Sequence, residues 1–131
     1  MLHKDAQRDQ AELVILSLLD AQGPLYGYAI SKEVSGRSDG QLRLTPGVLY
    51  PLLRELESDG LISGSVEEVH SDRKEAAPDA AEGRKRKWYR LTARGRKRLA
   101  ARIEAHRTWR RVIDLFIARD PMDQDQKEHG R

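Results

Sequence analysis

The sequence predicts a mainly α-helical fold with a small β-hairpin, completed by one long C-terminal helix. Three observations predict it. Apolar residues recur at helical spacing over most of the chain, two short segments carry β-branched and aromatic residues, and the last helical pattern runs from about Ala93 to Arg119. A length of 131 residues suits one compact domain with one appended element, because a small chain has too little interior for two full cores. The expected division is a domain over residues 9–92, a helix over 93–119 and a polar tail over 120–131.

The first helix is expected in AELVILSLLDAQ, with Asp9 as N-cap, Glu12 three residues on as its capping-box partner, and Gly23-Pro24 as the stop. Leu13, Leu16 and Leu19 repeat at helical spacing with Val14 and Leu18 beside them, so this helix belongs in a core or an interface. LYGYAISKEVSG gives a second helix, with Tyr26, Ile30 and Val34 on one face and Gly36 as its expected end.

The third helix carries the clearest local signal. In LTPGVLYPLLRELESDGLI, Thr45 suits the N-cap and Pro46 the first helical position, where a missing N–H removes no bond. Leu49, Leu52, Leu53 and Leu56 form the inward side, and Gly60 can adopt the left-handed conformation that ends a helix. Pro51 opposes this reading, since an interior proline costs about 3 kcal/mol through a lost bond and a clash with the carbonyl four residues back. That residue is Gly47, and the expectation is a helix kinked near its start.

Two short segments, ISGSVEEV and RKWYRLT, are expected to pair as a hairpin around the polar stretch HSDRKEAAPDAAEGRK, a long loop. Thr92 then caps the last helix, and Pro121 lies past its end. Along that helix Leu99, Ile103, His106, Arg110, Ile113 and Ile117 step by four and three, with Trp109, Val112 and Phe116 on an adjoining stripe. At 1.5 Å per residue it would reach about 40 Å, more than a domain of this size covers, so its apolar end calls for a second chain.

Composition narrows the chemistry. The chain has no cysteine, which excludes disulfides, thiolate catalysis and zinc–thiolate sites. His3, His70, His106 and His129 are scattered, with no metal-ligand spacing and no convergent acid, base or nucleophile set, so no enzyme, metal or cofactor is expected. No segment is apolar enough for a membrane span or a signal peptide, and a cytoplasmic location is expected.

The net charge of +3 is mild, but its placement is not: from Arg84 to Arg111 there are thirteen Lys/Arg and one acid, Glu104. A cationic block on folded structure attracts polyanions. Three helices followed by a two-stranded wing define the winged helix-turn-helix, whose third helix enters the major groove of duplex DNA. The candidates on that helix are Thr45, Tyr50 and Arg54, each with an alternative: Thr45 as a cap only, Tyr50 as a packed core residue, Arg54 as the partner of Glu57. Arg84, Lys85, Arg86 and Lys87 are the candidate wing contacts to the DNA backbone or minor groove. A rival reading is a protein-interaction module that dimerises through its long helix and has no DNA role.

The set GPLYGYAI at 23–30, TPGVLYPLLRELESDGLI at 45–62 and RKWYRLTARGRKRLA at 86–100 resembles the PadR family of bacterial transcriptional regulators, in its smaller branch with a single C-terminal helix. The resemblance implies a homodimer joined through the last helix and helix one, with Leu13, Leu16, Ile103, His106, Trp109, Ile113 and Phe116 at the interface. It further implies binding to a palindromic operator, usually to repress transcription, and places Pro51 inside the third helix. Some members of that branch bind planar aromatic or cationic compounds beside a tryptophan of the last helix, where Trp109 falls; the alternative for Trp109 is plain dimer packing.

Overall fold

The computed structural model describes residues 2–68 and 85–117, with side chains described over 7–67 and 86–117. The element order is α1 (Leu2–Gln22), β1 (Leu25–Tyr26), α2 (Gly27–Arg37), α3 (Pro46–Ser58), β2 (Ile62–Glu68), β3 (Lys85–Leu91) and α4 (Ala93–Asp114). The fold is mainly helical with a small antiparallel sheet of order β1-β3-β2. The long polar loop expected between β2 and β3 lies outside the described residues, as does the polar tail.

The helices bury the apolar stripes that the spacing marked. Ile15, Leu16 and Leu19 of α1, Ile30 and Val34 of α2, and Leu49, Leu52, Leu53 and Leu56 of α3 meet Leu61, Ile62, Tyr89 and Leu91 from the hairpin in one core. Each buried leucine or isoleucine contributes about 1.5–3 kcal/mol by leaving water. In β2–β3 the register pairs Ile62 with Leu91 and Gly64 with Tyr89. Because alternate residues of a strand face opposite ways, Tyr89 and Leu91 enter the core while Arg86, Trp88 and Arg90 stand on the other face.

Several local expectations change. α1 starts at Leu2, so Asp9 lies inside the helix and caps nothing. The residues before it include no glycine or proline, and nothing stops the helix from extending upstream. Glu12 turns inward instead of boxing a cap: it is 2% exposed, with Arg8 at 3.5 Å and Arg98 at 3.6 Å. Tyr26 is extended rather than helical, since β1 pairs Leu25 with Tyr89 and Tyr26 with Trp88. α2 ends at Arg37, not at Gly36; the left-handed residues are Asp39 and Gly40.

The joints around α3 follow from specific bonds. α3 runs unbroken through Pro51. At its end Gly60 has φ +77°, its N–H donates to the Glu57 carbonyl, and the Leu61 N–H reaches back to the Leu56 carbonyl at 2.9 Å. This double closure satisfies carbonyls that the helix leaves open. Thr92 then links that turn to α4: its hydroxyl donates toward the Gly60 carbonyl at 2.7 Å and accepts the Gly95 N–H at 2.9 Å. Gly95 is buried where a Cβ would strike the Leu61 carbonyl, so only glycine lets α4 cross there.

The chain divides into two compact units, Met1–Ala101 and Arg102–Arg131. The first therefore takes in the opening turns of α4, whose Gly95 and Leu99 are buried. In the second, the described side chains are mostly exposed, among them Trp109, Leu115, Phe116 and Ile117.

Candidate nucleic-acid interface

With Leu49, Leu52, Leu53 and Leu56 committed to the core, the helical period turns Gly47, Pro51, Arg54 and Ser58 outward, flanked by Val48 and Glu55 on one side and Tyr50 and Glu57 on the other. Thr45 is exposed at the head of this face. Its backbone carbonyl accepts from Val48 and Leu49 at 2.9 and 2.7 Å, but its hydroxyl makes no cap bond, contrary to the capping expectation. The hydroxyl is left to the surface.

Tyr50 is half-buried. A Cβ on Gly27 would lie 2.6 Å from its phenol oxygen, so the ring is seated directly on the start of α2. Packing is thus part of its role, and the two flanking motifs meet in this contact.

Arg54 is exposed and makes no ion pair with Glu57, because Glu57 is taken by Lys87, whose ammonium lies 2.8 Å from its carboxylate. Glu57 also faces Gly64, and a Cβ there would meet both Lys87 and Glu57. Lys87 therefore ties β3 to α3, and the hydrogen bond to Glu57 raises its pKa above the ordinary lysine value. Glu55, on the other flank, binds Arg8 at 2.7 Å and raises the guanidinium's pKa in the same way. Arg54 is left as the cation of this face with no partner among the described residues.

The wing cations have different surroundings. Arg86 lies with its guanidinium 4.7 Å from the centre of the Tyr26 ring, and Tyr26 meets Trp88 edge-on at 5.3 Å. This cation–aromatic stack holds Arg86 on the outer face of the sheet. Arg84 and the side chain of Lys85 lie outside the described residues. Arg90, Arg94, Arg96 and Lys97 are exposed. Sequence reasoning did not place Arg90 at the candidate surface; its alternation with Tyr89 and Leu91 was the available signal. Val48, 52% exposed on α3, was also missed, since an exposed valine gives no sign of itself in sequence.

Of the residues assigned to an interface between copies, Leu13 is half-buried and lines an apolar cleft of about 450 Å³ between α1 and α2, with Val14, Leu18, Val34 and Leu42. Leu16 does not belong with them: it is fully buried in the chain's own core. One position in every helical turn must face inward, and spacing alone did not say that Leu16 was that position. Ile103 is half-buried, while His106, Trp109, Ile113 and Phe116 are exposed. Among the described residues no group of His, Asp and Glu is placed to hold a metal ion, and no described helix is long and apolar enough to cross a membrane.

A helical core, an outward-facing third helix and an antiparallel wing define a winged helix-turn-helix. Residues 15–101 match the transcriptional regulator PadR-like family, and the chain belongs to that family. A transcriptional regulator from Clostridium thermocellum has a similar structure, with a TM-score of 0.72 and 29% identity over 87% of this chain and 99% of that one. A PadR family transcription regulator from Clostridium difficile has a TM-score of 0.64 and 28% identity, over 82% of this chain and 97% of that one. An uncharacterized protein of Lysinibacillus sphaericus is 28% identical over 117 residues, 89% of this chain and 96% of its own length.

Proposed function

We propose that this transcriptional regulator is a cytoplasmic homodimer that binds a two-fold symmetric duplex DNA site and represses transcription from it. The observation that carries the proposal is the outward face of α3, where Arg54 stands exposed and unpaired among the described residues while the neighbouring Glu55 and Glu57 are each neutralised by a cation of another element. A free guanidinium on a helix that fits the major groove can take guanine O6 and N7 together. Thr45, whose hydroxyl has no partner among the described residues, and Tyr50 supply donors to phosphate, and Arg84, Lys85 and Arg86 with Arg90 supply wing cations, while Lys87, expected among them, is committed to Glu57. Phosphate contacts set register, and base contacts set sequence.

Dimerisation through α4 and α1 is supported by the exposed apolar side chains Trp109 and Ile113 of α4, by Phe116 just past the helix, which ends at Asp114 and not at the expected residue 119, and by the apolar cleft that Leu13 lines. Trp109, 63% exposed, is the proposed stacking partner for a planar aromatic effector that would release the repressor.

Selection of bound fragments from random duplex DNA tests the proposal. A palindromic sequence is expected, with half-sites about one helical turn or more apart; recovery of random fragments alone overturns it. Arg54→Ala should change the preferred base at one position of each half-site. Lys85→Ala should weaken every duplex alike and flatten the salt dependence by about one counterion. Equal weakening of all duplexes by both substitutions would remove Arg54 from base readout.

A further inference from the structure

The outer face of α3 carries a glycine that no side-chain contact explains. Gly47 lies inside the first turn of the helix, where a Cβ would meet nothing within 4 Å, and its φ is not in the left-handed region. Glycine is the poorest helix former after proline, and neither side-chain packing nor a left-handed backbone accounts for it, which leaves room for the Pro51 ring as its one role inside the chain. Gly36 has the same open surroundings, but it sits in the last turn of α2, where the helix is ending. One turn after Gly47, on the same line of the helix, stands exposed Pro51, which has no N–H to offer. Beside both is Val48, 52% exposed.

A scattered surface valine is ordinary. A valine beside a glycine and a proline, on the outward face of α3, leaves a low stretch of helix that accepts close approach by something flat and partly apolar. The major-groove edge of an A·T pair has that character, because thymine projects its C5-methyl there. We infer that Gly47 sets the distance at which α3 lies against the base pairs and that Val48 reads a thymine methyl in each half-site. The inference rests on α3 being the DNA-reading helix.

The probe is a duplex enriched by the wild-type protein from a random pool, with each thymine replaced in turn by deoxyuridine, which lacks only the 5-methyl group. At one symmetry-related pair of thymines the replacement should weaken wild-type binding by about fourfold, the worth of one buried methyl group. Val48→Ala should bind the methylated and unmethylated duplexes equally. Gly47→Ala should raise Tm by about 2–6 °C at matched protein concentration, as alanine does in an exposed helix. The same variant should bind the enriched duplex about tenfold more weakly and a scrambled duplex unchanged.

Uracil penalties of equal size in Val48→Ala and wild type would overturn the thymine contact. A lowered Tm in Gly47→Ala would show that the glycine serves the helix itself and would overturn the spacing role, as would wild-type DNA affinity in that variant. Failure to enrich any duplex overturns the DNA-reading assignment of α3 and this inference with it. That result is distinct from an enriched duplex that is indifferent to both residues.

Discussion

The phenol oxygen of Tyr50 lies 2.6 Å from where a Cβ at position 27 would stand, so the glycine of one motif makes room for the tyrosine of another. Gly27→Ala is expected to force the ring aside and to destabilise the fold by about 1–3 kcal/mol, the usual range for overpacking a closed contact. Urea unfolding of the two proteins checks this; an unchanged midpoint would mean that the ring moves freely. The spacing of the tyrosine and of the leucines around it was legible in the sequence, as was the Thr92 cap, because both are local patterns. The reason for Gly27 was not, since it depends on a ring more than twenty positions away. Glu12 was misplaced for a like reason: a capping partner and a buried acid between Arg8 and Arg98 look the same until α1 has neighbours.

Between elements, the Lys87–Glu57 pair joins the wing to α3 across Gly64. Its partners are 40% and 33% exposed, so the pair contributes less than about 1 kcal/mol, screened further by salt. The sign of its pH dependence follows from the raised pKa of Lys87. The contribution is complete below the ordinary lysine value and is lost as the pH rises through the higher folded value. Lys87→Met should therefore differ from wild type near neutrality and converge with it in strong alkali, as read from denaturant midpoints at each pH. A gap that widens with pH would exclude this role.

The third helix and the hairpin were readable because each repeats its own period. β1 was not: two residues form a strand here only because β3 offers them an edge, and a pairing over some sixty residues leaves no mark on local composition. The same holds for the outward face of α3. Its leucines announced the inner side, but Glu57 is taken from Arg54 by a lysine thirty positions later.

For the whole molecule, the proposed dimer gives the sharpest expectation. The double substitution Ile113→Ser and Phe116→Ser removes exposed apolar surface and should yield a monomer in sedimentation at micromolar concentration, with helix content retained and affinity for a two-fold symmetric duplex reduced about a hundredfold or more through lost avidity. A dimer that survives both changes would place the interface elsewhere.

From the sequence by itself came the helical winged architecture, the absence of cysteine chemistry, the cationic block and the family resemblance. These are properties of composition and of short-range periodicity, which a chain carries before it folds. Tertiary structure alone decided which charges are spent inside the chain and which stay free. Glu12, Glu57 and Lys87 are engaged, and Arg54 has no partner among the described residues, because pairing depends on distances of a few ångströms between elements that only packing brings together.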